Sequence, residues 1–192
     1  GDYLAVVDRV IRETVAPAAA DVDAKGMFPR ASVDALAQCG LLGLVSAKDV
    51  GGRGEGLRAA TLVVELLAQA CASTAMVTCM HYCGSAVIEA HGGRDVRQAI
   101  GAGRHLTTLA LSESGSHGYF WAPLSTAHVD GDSVVLDASK SWVTSAGEAD
   151  SYVWSSRPAH SDGLSTLWLV PAKTSGVSIS GPFDGLGLRG NS

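Results

Sequence analysis

Two short stretches of this 192-residue chain combine hydroxyls with apolar residues in an order that suits ligand chemistry. They are Leu109-Ala110-Leu111-Ser112-Glu113-Ser114-Gly115-Ser116-His117-Gly118 and Lys140-Ser141-Trp142-Val143-Thr144-Ser145. Each is expected to hold a hydroxyl at the end of an apolar strand. Hydroxyls and backbone amides beside an indole fit a planar heteroaromatic ligand, whose faces want apolar packing and whose edges want hydrogen bonds. In an extended segment alternate side chains share a face, so Trp142 and Thr144 are expected to meet the same ligand while Val143 points away.

Other arrangements point to chemistry less well. Cys79, His81, Cys83 and His91 suggest a metal, but no Cys-x-x-Cys pair is present, and the helical period turns His81 away from the face shared by Cys79 and Cys83. The four cysteines read as reduced core residues of a cytoplasmic protein. A Ser-His-Asp hydrolase lacks its Gly-x-Ser-x-Gly elbow. Gly185-Leu186-Gly187-Leu188-Arg189-Gly190 has the pattern of a dinucleotide loop, yet Gly181-Pro182 precedes it where a buried strand is needed, so a turn is expected. Gly51-Gly52-Arg53-Gly54-Glu55-Gly56 reads as a connection between helices.

The elements that must position the two stretches follow from composition. Dividing after His105 leaves 20 of 28 alanines before the cut and all four tryptophans after it, so the first half favours helix and the second strand. Helices are expected over Tyr3–Ala20, Arg30–Cys39, Leu57–Ala72, Thr74–Ala90 and Asp95–Ile100, with Ser73-Thr74 as a cap. Strands are expected over Leu106–Ser112, Ser125–Val129, Val134–Leu136, Ser151–Trp154, Leu167–Val170 and Val177–Ile179, with Asp130-Gly131 in a hairpin turn. The fold class is α+β: an all-helical domain over 1–105, then an antiparallel β-barrel or sandwich over 106–192, packed together. Leu66–Ile88 carries no Asp, Glu, Lys or Arg, but its many hydroxyl, amide and imidazole groups argue for buried helices and against membrane insertion. A net charge of −5 excludes a nucleic-acid footprint. Charged residues make up only 17% of the chain, which favours a homo-oligomer, a dimer or tetramer, or a missing piece of the same polypeptide. The acidic start, Gly1 to Glu13, does not read as a signal peptide.

Taken in order, Phe28-Pro29, Gly40-Leu41-Leu42-Gly43-Leu44, Gly51-Gly52-Arg53-Gly54, Leu111-Ser112-Glu113, Lys140-x-Trp142-Val143-Thr144, Ala149-Asp150 and Gly187-Leu188-Arg189-Gly190 resemble the acyl-CoA dehydrogenases across nearly the whole chain. That resemblance implies a flavoprotein of fatty acid metabolism with FAD. Leu111 and Ser112 would lie at the pyrimidine edge of the flavin, Trp142 against its rings and Thr144 near N5. It implies α,β-dehydrogenation of an acyl-CoA or acyl-carrier thioester, with hydride transfer to N5, and an electron-transfer flavoprotein or other electron acceptor as partner. The family's Glu-Pro-Gly-Ala-Gly-Ser stands here as Glu113-Ser114-Gly115-Ser116-His117-Gly118, so its serine falls at Gly118, and Ser116 and Gly118 are the substrate-binding candidates. Ala138 replaces the usual glycine before the Lys. The family's catalytic glutamate is expected beyond Ser192, Glu113 being a motif residue instead, so the 192 residues alone are expected to be inactive. Two alternatives are a flavin-dependent monooxygenase or oxidase of the same fold, and a non-enzymatic assembly or ligand-binding subunit.

Overall fold

Pro17 shapes the start of the chain. In the computed structural model, which describes every residue except Gly1, Asp2, His117, Gly118, Phe120, Ser161 and Phe183, the chain is helical from Tyr3 to Lys25 through α1 (Tyr3–Val10), a π turn (Ile11–Val15) and α2 (Ala16–Lys25). Proline crowds the carbonyl four residues before it and has no N–H to donate. The π turn absorbs that misfit, because the Ala16 N–H reaches back five residues to the Ile11 carbonyl. The helix runs past its expected end at Ala20 because its stop signal is Gly26, which takes φ 60° while the Met27 N–H closes onto the Val22 carbonyl at 3.1 Å.

Four more helices follow: α3 (Arg30–Gln38), α4 (Leu57–Ala68), α5 (Ala72–His91) and α6 (Arg94–Gly101). Val7, Leu36, Leu41, Leu44, Val63 and Leu67 are fully buried between them. The cap of α5 lies earlier than expected, at Cys71, whose sulfur accepts the Thr74 N–H at 3.5 Å. Ser73 and Thr74 are inside the helix. No helix of the described residues is long and apolar enough to cross a membrane. The glycine-rich stretch is a connection, as expected: the N–H groups of Gly52, Arg53, Gly54 and Glu55 are spent on the carbonyls of Ala47, Gly43, Ser46 and Leu44.

The second half holds β1 (Thr107–Ala110), β2 (Thr126–Asp130), β3 (Ser133–Asp137), β4 (Ser151–Ser156) and β5 (Thr166–Pro171). β2 and β3 form the expected hairpin, with Gly131 at φ 58° and Asp130 opposite Ser133. The sheet departs from the purely antiparallel expectation. Its order is β1-β4-β5, and β1 runs parallel to β4, Thr107 opposite Ser151, while β5 is antiparallel to β4. The segment between β1 and β4 is long enough for the crossover that a parallel pair requires. The described residues form this sheet and a separate two-stranded ribbon, and no closed barrel. Val177–Ile179, expected as a strand, is irregular.

The halves meet where α5 lies on β1. His81, fully buried on α5, accepts the Thr107 N–H at Nδ1 (3.2 Å) and faces the Leu42 carbonyl through Nε2 (3.0 Å). One imidazole thus joins a helix, a loop and a strand.

Candidate functional site

The two stretches singled out by residue type lie side by side. β1 ends at Ala110 and the chain continues through Leu111, half-buried, and Ser112, exposed. The Ser141 N–H donates to the Ser112 carbonyl at 2.9 Å, and Glu113 bridges Lys140 in an antiparallel sense. Ser141 is thus paired with Ser112, and the next residue, Trp142, lines a cleft of about 500 Å³ together with Lys140, Val143, Tyr152, Trp154 and Ile179.

Beneath this edge is a buried ion pair. Lys140 Nζ lies 2.7 Å from Glu113 Oε1, both side chains almost wholly enclosed, and it also donates to the carbonyl and hydroxyl of Ser155 at 2.7 and 2.9 Å. Glu113 further accepts the N–H groups of Leu124 (2.5 Å) and Ser125 (3.2 Å) and the Ser125 hydroxyl. Burial by itself would raise the carboxyl's pKa, but Lys140 and the two amides together outweigh it and hold the group below its ordinary value. Glu113 is thus a saturated carboxylate with no capacity left to take a proton from a substrate.

Thr144 is placed differently from expectation. Trp142 adopts φ 57° and Ser145 φ 60°, so the chain turns twice between Lys140 and Ala146 and no strand forms there. The shared face of Trp142 and Thr144 is lost. Trp142 is 68% exposed, whereas Thr144 is buried and its hydroxyl accepts from Asn191 Nδ2 at 2.9 Å. Ser116 is also turned inward: it is buried, and its hydroxyl donates to the Glu113 carbonyl at 3.0 Å, closing a turn. Gly118 lies outside the described residues.

Comparison with known proteins decides the family. The acyl-CoA dehydrogenase N-terminal domain profile matches residues 2–102, and the acyl-CoA dehydrogenase middle domain profile matches residues 108–192. The chain belongs to the acyl-CoA dehydrogenase family. It is 33% identical over 186 residues to the short-chain specific acyl-CoA dehydrogenase, mitochondrial, of Homo sapiens, a match that covers 92% of this chain and 44% of the human protein. Butyryl-CoA dehydrogenase from Megasphaera elsdenii shares the fold with a TM-score of 0.80 at 22% identity, covering 91% of this chain and 49% of that one. FMN-bound TdsC from Paenibacillus sp. A11-2 does so with a TM-score of 0.84 at 24% identity, covering 100% of this chain and 49% of that one. The chain spans about half the length of the relatives it matches.

In this acyl-CoA dehydrogenase family member the Gly-Leu-Arg-Gly phrase has a structural use that residue types alone did not disclose. Arg189 binds Asp23 on α2, at 2.7 Å through its guanidinium and 2.9 Å to the Asp23 carbonyl. Gly190 passes so close to α2 that a Cβ there would lie 2.5 Å from the Val22 side chain, and equally close to the Met27 carbonyl just beyond the helix. Asn191 then reaches Thr144, and its carbonyl accepts the Ser145 N–H at 2.7 Å. Asn191 was missed in the sequence; the only local signal for it was the motif just before it.

Proposed function

We propose that this chain forms the flavin-facing half of an FAD-dependent dehydrogenase that removes an α-proton and a β-hydride from an acyl thioester. The observation that supports this most is the pairing of exposed Ser112 with Ser141, the residue before the exposed Trp142, beside the buried Glu113–Lys140 pair. The patch suits the ring system of a flavin: an exposed indole offers an apolar face, and Leu111 and Ser112 offer backbone and hydroxyl hydrogen bonds to a heteroaromatic edge. Among the described residues it offers no cation for a pyrophosphate, since Lys140 is committed to Glu113 and Ser155. The fit is therefore to the rings and not to the phosphate tail.

When bound, the flavin supplies the hydride acceptor at N5. Trp142 packs against the rings, the Ser112 edge orients them, and the Thr144–Asn191 hydrogen bond fixes the turn below. Glu113, ionised and saturated, positions this edge and does not act as base. In this reading the base comes from outside these 192 residues, which alone do not turn over acyl-CoA. Substrate is an acyl-CoA or acyl-carrier thioester, electrons leave to an electron-transfer flavoprotein or similar acceptor, and the protein works as a cytoplasmic homo-oligomer, in keeping with four free thiols.

The test is anaerobic mixing of the flavin-loaded holoenzyme, in which this chain is joined by the part that supplies the base, with short-chain acyl-CoA. Bleaching of the oxidised flavin with formation of the 2-enoyl thioester is expected. An oxygenated product, formed only when flavin is reduced externally and air admitted, would select the monooxygenase reading instead. Native protein with no flavin would leave only a binding or assembly role.

A further inference from the structure

Cys79 and Cys83 stand one turn apart on α5 and line the groove between α4 and α5, a cavity of about 580 Å³. Both are free thiols, Cys79 half-buried and Cys83 exposed, so the expectation of core placement does not hold for Cys83. Most of the wall is apolar: Val45, Leu57, Ala60, Val64 and Ala86, with the Tyr82 ring. The Tyr82 hydroxyl is turned out of the groove, donating to the Leu41 carbonyl at 2.8 Å.

The titratable groups that line the groove with the pair are Glu55, from the loop before α4, and Glu89 on α5, Tyr82 contributing its ring. Glu89 is engaged by Arg97 at 2.5 Å and by the Ala47 N–H at 3.3 Å. Each thiol feels the other across the turn, which pushes Cys79 up, with burial adding to it, and pulls Cys83 down. The exposed Cys83 is thus the more readily ionised of the two, and thiolate is the ligating form.

Side chains four apart on a helix have Cβ atoms about 5–6 Å apart, whereas a disulfide wants roughly 3.5–4.5 Å. The spacing disfavours direct oxidation and favours one larger atom held between two sulfurs. No group of three or more His, Cys, Asp or Glu able to hold a metal ion occurs among the described residues, so such an atom must bring its own third substituent. The groove is apolar where that substituent would lie.

We propose that Cys79 and Cys83 form a dithiol site for a trivalent thiophilic centre carrying a small apolar group, of the organoarsenical class. Phenylarsine oxide is the probe. Two As–S bonds form and the As=O bond breaks; both thiol protons leave with that oxygen as water, and arsenic remains trivalent, so no oxidant is needed. The phenyl group occupies the apolar wall beside Val64. This site is independent of the flavin reading, since it shares no lining residue with the Trp142 cleft.

Titration of the purified protein with phenylarsine oxide, followed by intact mass, is expected to give one adduct per chain with loss of one water. The adduct should protect Cys79 and Cys83 together from iodoacetamide and leave Cys39 reactive. Cys79→Ser and Cys83→Ser should each weaken binding by at least about a hundredfold, because the second bond of a two-point attachment is effectively intramolecular. Val64→Ser should weaken the phenyl compound more than methylarsonous acid. Equal affinity in either serine variant would overturn the proposal. So would protection of Cys39 in the parent protein, a readout that does not depend on how the variants fold.

Discussion

His81 and Glu113 are both buried polar side chains that tie separate segments together, and they solve the same problem in opposite ways. Around His81 the protein supplies one backbone donor, Thr107 N–H, and one backbone acceptor, the Leu42 carbonyl. That pairing is complete for a neutral imidazole and wrong for a charged one. Burial accordingly lowers the His81 pKa to about 4. Around Glu113 it supplies an ammonium, two amides and a hydroxyl, all donors, so the carboxylate stays charged. The number and sense of local donors, more than burial itself, decide whether a buried group keeps its charge. The helical joint is built to be electrically silent, while the site edge is built on a charge pair.

Breaking the charge pair should have the largest effect. Lys140→Met leaves the Glu113 carboxylate enclosed without its cation, and is expected to cost about 3–5 kcal/mol of stability, read from urea midpoints. Glu113→Gln combined with Lys140→Met should cost less than the sum of the two single changes, because the partners share one network. Additive losses, or an unchanged midpoint for Lys140→Met, would show that the Leu124 and Ser125 amides hold the charge unaided.

The neutral joint should reveal itself through pH. An unfolded histidine titrates near 6.5 and His81 in the fold near 4, so between these values the unfolded chain binds the extra proton and stability falls as pH falls. The contribution is complete above about 6.5 and lost as pH drops through about 4, amounting to about 3 kcal/mol. His105, also lowered by burial and bonded to the Ser151 hydroxyl at 2.7 Å, adds in the same direction. Glu113, depressed rather than neutral, adds its own loss only at lower pH, below its ordinary value of 4.5. His81→Gln should flatten the profile between pH 6.5 and 4 and leave the His105 share. An identical slope would mean that His81 is charged in the fold.

The helices were legible in the sequence because alanine content, apolar spacing and glycine stops are local signals; Gly26 was overlooked and Cys71 is an unusual cap. The hairpin was legible from Asp130-Gly131. Pairing of β1 with β4 was not, since it joins distant segments and no local pattern encodes direction. Residue types alone drew out the segments around Ser112 and Trp142, which the structure pairs side by side. Backbone conformation was hidden, because neither Trp142 nor Ser145 is a residue type that announces positive φ. Reading through them as a strand put Thr144 on the wrong face and concealed Asn191.

That correction separates two residues whose substitution once looked alike in kind. Thr144→Val keeps the shape but leaves the buried Asn191 amide without its acceptor, and is expected to cost roughly 1–3 kcal/mol of stability. Trp142 is largely exposed and sits in a conformation that favours short polar residues over an indole. Trp142→Asn should therefore change stability by no more than about 0.5 kcal/mol, far below the cost of truncating a core aromatic. If the ring packs on the flavin, losing it removes roughly 0.5–1.5 kcal/mol of aromatic contact, or up to about tenfold in flavin affinity. The two observables then diverge: Thr144→Val moves the melting midpoint, and Trp142→Asn moves flavin affinity with the melting midpoint of the flavin-free protein unchanged. Should Trp142→Asn lower that midpoint by as much as Thr144→Val while flavin affinity stays at the parent value, Trp142 serves the fold and the site must be moved away from it.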